Sequence, residues 1–196
     1  MYVQGATVVG IKATNGVVVA GEKRLGYGHF ILSRKAKKVY LLDNRIAIGA
    51  AWLYADSQAL TALVETVKRR HELIAKSKLS VKGIVKLVSR ILYSNKLIPY
   101  MTELIIAGVD ENGPQLYVLD ALGGVSEEKY AAVGSGSTTA IGLIEDSYRD
   151  DLSVEKAVEL TVESIKVAVK RDALSGDGID VVVITTDKAW EEYYPL

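Results

Sequence analysis

Two β-branched runs, residues 7–13 and 17–20, flank Asn15-Gly16 near the start of the chain. Asn-Gly between such runs predicts a β-hairpin, because both central residues of a type I′ turn need positive φ. Residues 38–42 and 45–50 read as two further strands. A helix is expected over residues 57–75, where Leu60, Leu63, Val64, Val67 and Ile74 recur at helical spacing. Lys68-Arg69-Arg70 reads as the solvated face of that helix, and His71 as a packed histidine on its apolar stripe. Ser80 is a candidate N-cap for a second helix with Ile84, Val88, Ile91 and Leu92 on one face, followed by a loop ending near Pro99.

Residues 103–109 and 115–119 predict a second hairpin around Asp110-Glu111-Asn112-Gly113-Pro114. A short strand over 130–133 runs into Gly134-Ser135-Gly136-Ser137, which opens a helix to about residue 148. Ser153 caps the next helix, with Glu155 in its first turn and Val158, Val162, Ile165 and Val169 as the buried face. The nearly unbroken apolar run over 179–185 predicts a central strand buried on both sides. Helices come in pairs between hairpins, so the pattern is not alternating βαβ. It predicts an α+β chain of one domain, residues 1–196, with two sheets face to face and helices outside.

The 196 residues contain 24 basic and 24 acidic side chains, so net charge gives no reason to expect nucleic acid or an anionic membrane as partner. With no cysteine and only His29 and His71, thiol nucleophiles, disulfides, thiolate zinc sites and histidine-rich metal centres are excluded. The chemistry left is hydroxyl, lysine, carboxylate and backbone amide, with no cofactor and no metal expected. No apolar run is long enough to span a bilayer, and the first residues lack a basic start and apolar core, so a cytoplasmic protein is expected.

Gly134-Ser135-Gly136-Ser137 has exposed amides ahead of a helix, but lacks a P-loop lysine and the third glycine of a dinucleotide fingerprint. Val133 stands where the nucleophile-elbow pattern needs glycine. Ser175-Gly176-Asp177-Gly178, with Asp172 and Asp180 nearby, reads as a turn ahead of a cation site.

More specific are Gly5-Ala6-Thr7-Val8-Val9-Gly10-Ile11, the run from Asn15 to Arg24, Ala36-Lys37-Lys38-Val39, Gly134-Ser135-Gly136-Ser137, and the run from Lys170 to Asp180. Together they resemble a proteasome β-type subunit of the archaeal kind, in the family's order and near its spacing over almost the whole chain. The resemblance implies a four-layer αββα sandwich of two antiparallel sheets flanked by helix pairs. It also implies an N-terminal nucleophile hydrolase, in which a threonine freed by self-cleavage after a glycine attacks peptide bonds. Seven-membered β rings between α rings would make α-type subunits, other β subunits and unfolded polypeptide the partners. An α-amino group near pKa about 7.7–8.0 is a suitable base for its own hydroxyl, which fits a chain without usable Cys or His.

Carried over by position, Lys38 matches the family's catalytic lysine, Glu22 its partner carboxylate, and Ser135, Asp172 and Ser175 the group around the amine. The nucleophile does not carry over. Counting back without a gap puts Ala6 there, after Gly5, and Thr7 as an alternative nucleophile would require a one-residue slip that turns the strand over. Trp52 replaces a glycine whose amide meets substrate, and Gly26 replaces a threonine or serine that pairs with the substrate backbone. An indole at Trp52 is expected to obstruct the cleft. The resulting expectation is a non-catalytic β subunit that retains residues 1–5 or 1–6 as a short propeptide-like segment, alone or mixed with an active β paralogue. The alternatives are an active threonine peptidase using Thr7, or an active parent carrying an engineered alanine at position 6.

Overall fold

The computed structural model describes residues 5–196. The propeptide-like segment therefore lies outside the described residues up to Gly5. Strands β1 (Val8–Ala13) and β2 (Gly16–Glu22) form the first hairpin, followed by β3 (Leu25–Tyr27), β4 (Phe30–Ser33), β5 (Val39–Asp43) and β6 (Ile46–Trp52). Helices α1 (Tyr54–Ala75) and α2 (Val81–Ser94) precede β7 (Thr102–Asp110), β8 (Gly113–Leu119), β9 (Val125–Glu127) and β10 (Tyr130–Val133). Helices α3 (Ser137–Ser147) and α4 (Val154–Val169) lead to β11 (Ile179–Thr185) and β12 (Ala189–Tyr194).

Two five-stranded antiparallel sheets result, in the orders β10-β1-β2-β11-β12 and β5-β6-β7-β8-β9, with β3-β4 as a separate ribbon. Three buried layers explain why they stack. Val9, Ile11, Val18, Val181 and Val183 pack with Ile144 and Ile165 of α3 and α4. Val8, Val19 and Val182 meet Ile105, Ala107 and Leu116 between the sheets. Ile48, Leu104 and Ile106 on the far face pack under Leu60, Ile84 and Val88 of α1 and α2. Alternate residues of β2 and β11 enter different layers, so their unbroken apolar runs reflect burial on both faces. This is the expected αββα sandwich.

Local signals hold in some places and shift in others. Ser80 and Ser153 cap α2 and α4 by accepting from the Gly83 and Lys156 amides at 3.1 and 3.3 Å. The first hairpin forms one residue early: Ala13 pairs with Gly16, the loop is Thr14-Asn15, and neither Asn15 nor Gly16 has positive φ. Gly16 is needed for space, since a Cβ there would fall 2.6 Å from the Ile184 carbonyl oxygen.

Helix α1 departs most from expectation. Its buried side is Ser57, Leu60, Thr61, Val64 and Lys68, while Leu63 and Ile74 face outward and His71 is exposed. Lys68 is buried because Asp43 and Glu72 each place a carboxylate oxygen 2.9 Å from its ammonium. No helix among the described residues is long and apolar enough to cross a membrane.

Candidate functional site

The β1–β2 ladder continues below Val8, because the Glu22 amide donates to the Thr7 carbonyl at 3.1 Å. Side chains therefore alternate through Ala6. Ala6 joins Val8 and Val39 in the layer between the sheets and is 1% exposed. Thr7 has the opposite orientation, on the side of α3 and α4, and is fully buried.

The turn from β10 into α3 meets the Ala6 backbone and is itself held from two other elements. Ser135, in the turn from β10 into α3, accepts the Ala6 amide proton at 3.2 Å. Its hydroxyl donates to Asp172 Oδ2 at 2.6 Å, a charge-assisted contact that wins over the 3.3 Å approach to the Ala6 carbonyl. The turn reaches Ala6 because Gly134 has φ +92°, and a Cβ there would lie 2.2 Å from the Ala6 carbonyl oxygen. Glu103 of β7 accepts the Gly134 amide at 3.1 Å and fixes the turn from the other sheet.

Asp172 follows α4 and also accepts from Ser175 Oγ at 2.6 Å. Ser175 has one hydroxyl proton and gives it to the carboxylate, so the 2.7 Å contact with Thr7 must run from Thr7 Oγ1 to Ser175 Oγ. The Thr7 hydroxyl thus ends a chain directed into Asp172, on the helix side of the sheet.

Lys38 lies just before β5 and its Cβ faces Gly21 and Val8, in the layer that holds Ala6. Its ammonium donates to Glu22 Oε1 and, at 2.6 Å, to the Arg24 carbonyl. Glu22 is fully buried and saturated: Oε1 also accepts the Thr7 amide at 3.3 Å, and Oε2 accepts the Arg24 and Gly176 amides at 2.7 and 2.9 Å. Burial pushes the Glu22 carboxyl above its ordinary value and the Lys38 ammonium below its own, with their mutual attraction opposing both shifts.

Gly26 in β3 is buried, and a Cβ there would meet only the Phe30 carbonyl oxygen, at 3.7 Å. The missing hydroxyl is therefore not forced by space. Gly26 lines a 570 Å³ hollow with Arg24, His29, Phe30, Ala173 and Leu174. Trp52 has φ +84°, a conformation glycine adopts freely, yet its indole is half-exposed. It lines a different hollow, of 380 Å³, with Pro99, Tyr100, Met101 and Leu122.

The loop after α4 is held by charge. Asp177, at φ +68°, accepts from Arg24 Nε at 2.8 Å and Arg34 Nη1 at 2.7 Å, and Asp180 pairs with Lys23. These partners occupy the carboxylates of the conceivable cation site, and the described residues hold no metal-ligating cluster. Sequence reasoning missed Arg24 and Glu103. Arg24 lies two residues past Glu22, and Glu103 is the single charge before a six-residue apolar run over 104–109, which was the available signal.

The arrangement brings to the start of β1 a Ser135 hydroxyl bonded to Asp172 and, through the Thr7 amide, the buried Glu22–Lys38 pair, with a bare methyl group as the Ala6 side chain. With a hydroxyl on that methyl, these groups could activate it for acyl transfer. A family profile described as "Proteasome subunit" matches residues 2–184 of the chain. "Proteasome subunit beta 1" of Ignicoccus hospitalis is 49% identical over 180 residues, covering 92% of this chain and 90% of that protein. "Proteasome subunit beta 2" of Pyrobaculum neutrophilum is 45% identical, covering 96% and 93%. "Proteasome subunit beta 2" of Thermofilum pendens is 42% identical, covering 100% and 96%.

Proposed function

The chain belongs to the proteasome subunit family, and on that premise we propose that it is a β-type member of the 20S core particle lacking its own peptide-cleaving centre. One observation carries the second half of this reading. The Ala6 amide is bonded to Ser135 beside Asp172, the next amide, that of Thr7, is bonded to Glu22 and through it to Lys38, and alanine brings no hydroxyl to that position. A proton-transfer apparatus without an oxygen to activate neither cleaves its own chain nor forms an acyl-enzyme.

Thr7 does not substitute. Its hydroxyl lies on the other side of the strand and is already donated to Ser175. Gly26 agrees with a non-catalytic role.

The chain acts as a ring member in cytoplasmic protein degradation, without a cofactor. Its partners are α-type subunits and other β subunits, an active paralogue among them, around unfolded polypeptide. Exposed apolar residues support such neighbours: Phe30, Leu32, Leu73, Ile74, Leu97 and Ile98 are all largely uncovered. The test is assembly of the purified chain with α-type subunits, followed by incubation with a fluorogenic peptide. A particle without hydrolysis is expected, and hydrolysis without an active β partner overturns the reading.

A further inference from the structure

Glu103 sits where charge is costly. Across the β6–β7 ladder it pairs with Ala51, as Ile105 pairs with Gly49. Alternation along β7 puts Glu103 on the side of Ile105 and Ala107, and these two, like Ala51, belong to the apolar layer between the sheets. The residues that follow, Leu104 to Val109, are all apolar or glycine, and all are buried. A partly buried carboxylate at the rim of such a layer costs free energy unless its oxygens are bonded. The bond it makes here is to backbone: the Gly134 amide donates to its Oε2 at 3.1 Å.

Gly134 is the residue of the site that most needs holding. At φ +92° it occupies a region that glycine enters freely, so its own backbone does little to fix the turn. The turn nevertheless comes very close to the chain ahead of β1. A Cβ on Gly134 would lie 2.2 Å from the Ala6 carbonyl oxygen and 3.0 Å from the Ala51 Cβ. Ser135 is the next residue, and rotation about Gly134 swings its hydroxyl. That hydroxyl accepts the Ala6 amide proton at 3.2 Å and is tied to Asp172 from the α4 side. Glu103 ties the same turn from the other sheet, through a charge-assisted bond about twice as strong as a neutral one. Two carboxylates, one from each half of the sandwich, thus bracket the Gly134–Ser135 turn.

We infer that Glu103 is a positioning residue for the nitrogen of residue 6. It holds Gly134, Gly134 places the Ser135 hydroxyl, and that hydroxyl places the nitrogen. Glu103 acts only through Ser135 and takes no part in bond making or breaking. The inference rests on the proposed reading of this site as a frame kept without its hydroxyl.

Site-resolved hydrogen exchange of the full-length chain reads both amides without any turnover. Glu103→Leu keeps much of the side-chain size and removes the acceptor, while Glu103→Gln keeps an acceptor oxygen and removes the charge. Glu103→Leu is expected to speed exchange at Gly134 and Ala6 by about ten-fold, the scale of one such hydrogen bond, with β11 and α4 unchanged. Glu103→Gln should stay within about three-fold of wild type. An Ala6 amide that exchanges no faster in Glu103→Leu, or equal rates in the two variants, overturns the inference. The Gly134 amide proton of Glu103→Gln gives a second reading that needs no disruptive variant. Facing a weaker, neutral acceptor, its resonance should move upfield, and an unmoved resonance also overturns the inference. Peptide hydrolysis by the assembled wild-type chain, without an active β partner, defeats the non-catalytic reading alone and leaves the Ala6 exchange rates as they are.

Discussion

The amide of Ala6 donates to the hydroxyl of Ser135 at 3.2 Å, and that hydroxyl is committed in turn to Asp172. The bond fixes where the Ala6 methyl sits, in the layer shared with Lys38. On the proposed reading, a single side-chain oxygen separates this site from one that could form an acyl-enzyme.

Ala6→Thr is therefore expected to gain function. The variant should lose the residues before position 6, seen as a drop in intact mass, and should hydrolyse a fluorogenic peptide once assembled. The gain should be on the order of 10³-fold or more, the scale on which a hydrolase loses activity with its nucleophile. A variant that retains the full mass and stays inactive would show that more than the hydroxyl is missing, with Gly26 as the next position to restore.

Glu22 and Lys38 should differ in what their removal costs. Lys38→Met leaves Glu22 with three backbone amide donors, whereas Glu22→Ala orphans those amides together with a buried ammonium. Breaking a buried pair costs about 3–5 kcal/mol, and Glu22→Ala should lie at the upper end. Chemical denaturation of the two variants checks the order.

Asp177 supplies an acid-sensitive clasp. Its bond from Arg24, with Arg34 adding to it, holds the carboxyl below its ordinary value. A depressed folded-state value means stability that is present above the unfolded pKa of about 3.9 and lost as the pH falls through the folded one. Asp177→Asn keeps a residue tolerant of φ +68° and removes only the charge. It should cost about 1–2 kcal/mol at neutral pH, after allowance for the exposed Arg34, with the difference from wild type vanishing in acid. Melts between neutrality and acid test the sign.

Trp52 offers a backbone test. Trp52→Ala and Trp52→Gly lose the same half-exposed indole, but only glycine accepts φ +84° without strain. The glycine variant should be the more stable of the two by about 1 kcal/mol, despite its greater unfolded-state entropy. Equal melting temperatures would mean that the loop relaxes when the ring is removed.

The sequence made the layered frame legible where one signal dominated. Hairpins around residues 14–15 and 111–112, serine caps at Ser80 and Ser153, and the doubly buried β11 follow from local chemistry and unbroken apolar runs. β3, β4, β9 and β12 were not legible. They are short or half-exposed strands at the margins, interrupted by Gly26 and Gly28 or written in Glu and Tyr, and partners distant in sequence define them. The burial of Lys68 was hidden for the same reason, because Asp43 lies on another element. At the site, alternation along β1 separated Ala6 from Thr7 in advance, since period two leaves no freedom once the register is set. The positive φ of Trp52 is a backbone feature that no tryptophan announces.

Lys68 has one more effect. By fastening α1 to its sheet through Asp43, with Glu72 of the same helix as a second partner, it relieves that helix of the need to turn all its greasy residues inward. Leu73 and Ile74, at 80% and 73% exposure, are left on the outside of the last turns. A solitary copy therefore meets water with sticky helix ends. Its solubility should fall steeply with concentration when synthesis outruns that of its neighbours, which makes balanced supply of subunits a physical requirement of this helix.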